Sequence, residues 1–204
     1  MTRRLVIWLA LGAIVAGCAP AAGPALVRVE RMTAPPLPAD PSDERLLSTV
    51  SWALTQRLGL PLSLPVHVHF YPSQAEFERA LTAEARSDNP LVKDQARYAT
   101  GVGTANGIHL RGDRLASVPL EVRVALFAHE LTHVSQYELA GGRRATSEQW
   151  LREGFADWVQ YRATDLLSIR PYAESRRRVV EFVRRGGPAD RFPSLGLLVS
   201  NRQW

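Results

Sequence analysis

The residues with the clearest chemical potential lie in one pentapeptide, His129-Glu130-Leu131-Thr132-His133. Placed on a helix, residues four apart share a face one turn apart, so both imidazoles can reach a single ion. Glu130 then sits about 100° round from His129, near enough to act on a metal-bound water without ligating the metal. Imidazole and carboxylate donors suit Zn2+, and a catalytic zinc keeps three protein ligands and an open fourth position. Zinc acidifies its water, and a neighbouring carboxylate can take the proton as that water attacks. The pattern alone also fits a helix with two satisfied histidines and an exposed glutamate.

A second segment narrows the choice. Trp150-Leu151-Arg152-Glu153-Gly154-Phe155-Ala156-Asp157-Trp158 also reads as helical, and Glu153 falls far enough after His133 for a loop and a returning helix. Asp157 follows Glu153 by one turn, so the two carboxylates share a face. Trp150, Phe155 and Trp158 make the surroundings apolar, where an unpaired carboxylate is costly. A ligand role for Glu153 removes that cost. For Asp157 the expected role is to accept a hydrogen bond from the other ring nitrogen of a metal-bound histidine, most simply His129. Gly154 would let the two helices approach closely.

These two motifs together resemble the gluzincins, in particular the small bacterial peptidase MA-like proteins, over about residues 43 to 204. The resemblance implies a thermolysin-like core, one Zn2+ held by His129, His133 and Glu153, and Glu130 as the catalytic base. It also implies a mixed sheet whose edge, supplied by residues 101 to 110, binds an extended peptide by strand addition. Two departures qualify what is carried over. The aminopeptidase branch has a Gly-Ala-Met-Glu-Asn segment whose Glu binds the substrate's free amine, whereas this chain reads Gly103-Thr104-Ala105-Asn106-Gly107, which favours an endopeptidase. Gluzincins also place a Tyr or His after the third ligand to stabilise the oxyanion. No His follows His133, and only Tyr161 and Tyr172 follow Glu153. The resemblance implies further helices past Trp204, so the chain is expected to be truncated at its C-terminal end.

The elements that must position these residues read as α+β, a small mixed sheet first and a helical core after it. The 204 residues suit one domain, and 46% hydrophobic against 22% charged residues is a globular balance. Apolar residues at 46, 47, 50, 54 and 58 mark a helix from Asp43 closed by Gly59. Val66 to Tyr71 alternates as a strand, with His67 and His69 on its solvent side. Ser73 opens a helix carrying Phe77, Ala80 and Leu81. Gly101 to Arg111 reads as a glycine-punctuated turn followed by the strand Ile108-His109-Leu110; His109 is either exposed there or lines the cleft. A long helix runs from Ser117 and Pro119 to the stop at Gly141-Gly142. Thr146 and Gln149 suggest a capping box for a helix through about Leu166, and a further helix spans about Pro171 to Gly186.

The N-terminus predicts a location. Arg3 and Arg4 precede an apolar run from Leu5 to Ala16, too short to span about 30 Å of hydrocarbon but suited to a signal peptide over residues 1 to 17. Val15-Ala16-Gly17-Cys18 resembles a bacterial lipobox, and Cys18 is the only cysteine. Lipidation of Cys18 would anchor the chain to the membrane, with the outer membrane facing the periplasm as the expected site. Residues 18 to 41, rich in Ala and Pro, read as a tether before a domain over 42 to 204. A net charge of +5 falls to about +3 without Arg3 and Arg4, too mild to indicate a nucleic-acid partner. The expected partners are a peptide or protein substrate and the membrane. The competing function is a non-catalytic, zinc-stabilised envelope lipoprotein that binds other proteins; an intact Glu130 argues against it, because a scaffold needs the ligands but not the base.

Overall fold

A computed structural model describes residues 23–85, 96–142, 149–169 and 184. The fold is α+β, built on a four-stranded mixed sheet in the order β1-β2-β4-β3. Strand β1 (Ala25–Val29) runs antiparallel to β2 (Val66–Tyr71), β2 runs parallel to β4 (Gly107–Arg111), and β3 (Gly101–Thr104) closes the far edge antiparallel to β4. The parallel pairing requires a crossover, which helix α2 (Gln74–Ala85) supplies. Ser73 opens α2, its hydroxyl accepting from the Glu76 N–H at 3.3 Å.

The expected tether over 18 to 41 therefore needs correction. Its Ala25-Leu26-Val27-Arg28-Val29 stretch is a strand, Val29 is fully buried, and Thr33 N–H donates to the Ser48 carbonyl. Alternating β-branched residues win a place in the sheet here despite the Pro- and Ala-rich flanks. Helix α1 (Asp43–Trp52) begins at Ser42, whose hydroxyl accepts from the Arg45 N–H at 3.2 Å, and Asp43 and Glu44 favour its positive end. It continues as a wider π turn over Ala53–Arg57 before the chain reverses at Gly59.

One face of the sheet carries the main core. Val66, Val68, Ile108 and Leu110 pack against Leu46, Leu47 and Val50 of α1, against Leu54 of the π turn, and against two long helices, α4 (Leu120–Leu139) and α5 (Gln149–Leu166). A short turn of helix, α3 (Gly112–Leu115), leads from β4 toward α4. Val124, Phe127, Ala128 and Leu131 form the buried stripe of α4; Phe155, Trp158, Val159 and Ala163 form that of α5. Helix α4 stops where predicted, with Gly141 and Gly142 both at positive φ and the Gly142 N–H returning to the Tyr137 carbonyl.

The opposite face of the sheet is covered by α2, whose Phe77 and Leu81 pack on Tyr71 and Val102. His67 and His69 are half-buried on this side of β2, next to the exposed Arg28 and Leu26 of β1. His69 stacks on His109 with ring centroids 5.3 Å apart, because the parallel register sets the two residues side by side. Thr146, Tyr172, the predicted helix from Pro171, and Cys18 with its leader lie outside the described residues. Among the described residues, no helix is long and apolar enough to cross a membrane.

Candidate metal centre

Helices α4 and α5 face one another across the core, and their polar residues gather at one end of that contact. His129 Nε2 and His133 Nε2 stand 3.1 Å apart. Glu153 Oε2 lies 3.3 Å from the first and 3.4 Å from the second. Donors bound at about 2.0–2.1 Å in a tetrahedron are separated by about 3.3–3.4 Å, so the triangle has the size of three zinc ligands. Among the described residues this is the one cluster of His, Cys, Asp or Glu that converges closely enough to hold an ion.

The outward ring nitrogens explain why three donors can face each other. Asp157 Oδ1 lies 3.2 Å from His129 Nδ1, the partner expected for it, and Gln136 Oε1 lies 2.9 Å from His133 Nδ1. With a hydrogen on each Nδ1, both Nε2 atoms present lone pairs toward each other and toward a carboxylate. Such a group needs a cation between its members. Without a metal, a proton fills that need. Burial alone would lower the pKa of His129, but hydrogen bonds to Asp157 and Glu153 and the charge of Glu130 overcome it and push the pKa up to about 10. Burial would likewise raise that of Glu153, but its bonds from His129 and His133 hold it well below the usual carboxylate range. The residues present therefore fit a divalent metal. Glu153 is the open side of the centre, its side chain 43% exposed, whereas the two imidazoles are 12% and 15% exposed.

No family model, curated protein or solved structure matches this chain.

Glu130 is buried beside the triangle, and its carboxylate meets the sheet. Gly103 N–H, on the outer edge of β3, donates to Glu130 Oε2 at 2.7 Å. The Gly101–Arg111 region is thus a hairpin with its own edge strand, not a turn before a single strand. The two glycines permit this contact. A Cβ at Gly103 would come within 2.5 Å of the Glu130 carbonyl oxygen and 2.8 Å of His133 Cβ. At Gly101 it would meet the Glu130 side chain at 2.9 Å. Any side chain would lift β3 from α4.

His109 neither lines this cleft nor lies exposed. It is buried on the far side of the sheet, Nδ1 2.9 Å from the Tyr71 hydroxyl and Nε2 2.5 Å from Glu84 Oε2. Glu84 also accepts from Asn106 Nδ2 at 3.1 Å. Burial would raise the Glu84 pKa, but the bonds from His109, Thr104 and Asn106 bring it down to about 2. Tyr161 lies on α5 two turns past Glu153.

Two groups of the centre escape sequence reasoning, the Gly103 N–H and Gln136. A main-chain donor leaves no side-chain signature, and only the Gly-x-Gly spacing at 101 and 103 hints at close approach. Gln136 had a readable signal, its position one turn after His133.

Proposed function

We propose that the chain is a zinc-dependent peptidase of gluzincin type, with His129, His133 and Glu153 as ligands and Glu130 as the base. The convergence of three lone-pair donors at 3.1–3.4 Å, beside a carboxylate held by a sheet edge, carries this reading. A zinc ion bound by these donors supplies a Lewis acid for the substrate carbonyl and acidifies a water. Glu130 takes a proton from the attacking water as the O–C bond forms, and returns it to the amine nitrogen as the C–N bond breaks. The Gly103 N–H fixes one carboxylate oxygen, so the base is oriented before substrate arrives. Asp157 holds His129 in the tautomer that ligates through Nε2. The outer edge of β3 runs past this base, and an extended peptide added along it would bond to main-chain groups other than the Gly103 N–H, which favours an endopeptidase. In the same reading Cys18 carries the lipid that attaches the protein to the outer membrane.

The test uses purified protein and an unfolded protein substrate such as casein. Hydrolysis blocked by a chelator and restored by zinc is expected, together with a Glu130→Gln variant that keeps one zinc and loses turnover. Undiminished turnover in that variant would remove Glu130 from the mechanism. Stoichiometric zinc without hydrolysis in the wild type would favour the scaffold reading.

A further inference from the structure

Gln136 stands one turn beyond His133 on α4, and is 3% exposed. Its carboxamide is engaged at both ends. Nε2 donates to the main-chain carbonyl of Arg152 at 3.1 Å, and Oε1 lies 2.9 Å from His133 Nδ1. These contacts form a chain of forced choices. A carbonyl oxygen only accepts, so the NH2 end of Gln136 must face Arg152 and the oxygen must face His133. An amide oxygen also only accepts, so His133 Nδ1 must carry a hydrogen. The Nε2 lone pair of His133 is then the atom presented to His129 and Glu153. A free neutral imidazole in water favours hydrogen on Nε2 instead, the form that cannot ligate through that atom.

We infer that Gln136 is a positioning residue that fixes the donor atom of His133, and that it does so by relaying the polarity of a carbonyl on the facing helix. Arg152 immediately precedes Glu153. The docking of α5 that delivers the third ligand therefore also orients Gln136 and, through it, the second ligand. Two of the three donors become competent in one step, which makes the centre cooperative with the α4–α5 contact. Asp157, itself on α5, instead reaches His129 directly, with no intervening side chain. The inference rests on the zinc reading for its purpose, while the constraint itself runs through hydrogen bonds within the protein.

The experiment compares wild type with Gln136→Met and Gln136→Glu in the full chain. Gln136→Met preserves approximate volume and removes both hydrogen bonds. Gln136→Glu keeps an acceptor for His133 but loses the donor to Arg152. Long-range proton–nitrogen NMR of 15N-histidine-labelled, metal-free protein reads which nitrogen of His133 bears hydrogen, and competition with a chromophoric chelator reads zinc affinity. Hydrogen on Nδ1 is expected in wild type and Gln136→Glu, and a shift to Nε2 in Gln136→Met with zinc affinity about 10- to 100-fold weaker. Gln136→Glu should recover affinity relative to Gln136→Met, which a role confined to helix packing would not produce. If Gln136→Met retains hydrogen on Nδ1 or wild-type affinity, the inference fails. Should Gln136→Met not fold, loss of the Nδ1 hydrogen in Gln136→Glu overturns it equally. A wild type that binds no zinc would overturn the metal reading alone, because the tautomer measurement still decides the role of Gln136.

Discussion

The two faces of the sheet each carry a cluster of histidine and carboxylate, and the clusters differ in how their hydrogen bonds close. On the α2 side, His109 has both ring nitrogens committed, one to the Tyr71 hydroxyl and one to Glu84, and Glu84 is further bound by Asn106. Every member finds a complementary partner within the protein. On the α4 side, the outer nitrogens of His129 and His133 are equally well satisfied, by Asp157 and Gln136. Among the described residues, their inner nitrogens meet each other and Glu153. The composition of the two clusters is similar; their complementarity is opposite. A cluster that closes on itself is architecture, and one left with converging lone pairs is a receptor for a cation.

That contrast can be broken most severely by deleting one donor on each face. Glu153→Ala should abolish stoichiometric zinc binding, while His109→Ala leaves zinc affinity within about threefold of wild type, as measured by chelator competition. Loss of zinc from His109→Ala would join the two clusters and remove the distinction. The pH dependence sharpens it further. With its pKa pushed up against burial to about 10 by Asp157 and Glu153, metal-free His129 favours the imidazolium form at neutral pH, and a metal at Nε2 must displace the second ring proton. Apparent zinc affinity should therefore rise about tenfold per pH unit from 6 to 9, with a proton released on binding that calorimetry in buffers of different ionisation enthalpy detects. A flat profile would show that the imidazole is already free. Asp157→Ala should weaken zinc about 10- to 100-fold without abolishing it; unchanged affinity would end its orienting role.

The smallest effect belongs to the closed cluster and appears as stability. The Glu84 pKa lies below that of the unfolded chain, so its contribution is present above about pH 4.5 and fades as pH falls toward about 2. The full shift corresponds to about 3 kcal/mol, and partial exposure reduces it, so Glu84→Gln should destabilise the protein by about 2 kcal/mol at pH 7 and flatten the acid limb of its unfolding curve, with zinc affinity little changed. Acid unfolding that is identical in the two proteins would mean that Glu84 is not held by its neighbours.

What the sequence reveals of this site follows the reach of helical periodicity. His129 and His133, and Glu153 and Asp157, are pairs one turn apart, and a period of 3.6 places each pair without knowledge of the rest. The buried stripes of α4 and α5 then bring the pairs together, as the Trp150–Trp158 segment already suggests. Features that depend on sheet order are not visible in that way. His109 reads as exposed or cleft-lining because nothing local shows that β4 is an interior strand paired with β2 and covered by α2. β1 is hidden in Ala- and Pro-rich surroundings because its partner is more than 35 residues away in sequence. The Gly103 contact required knowing that β3 is the edge beside α4. Gln136 is the intermediate case, since its spacing is local while its meaning comes from a carbonyl on α5.

All three donors lie on consecutive helices, so an ion held among them would clasp the last described layer of the fold. Its binding energy would count toward holding α5 on α4, adding about 1.4 kcal/mol for each tenfold excess of zinc over the dissociation constant. Supply of the metal would then govern the persistence of the fold as well as the occupancy of the site. In a zinc-starved compartment, the same chain would be a shorter-lived one, cleared as its two helices part.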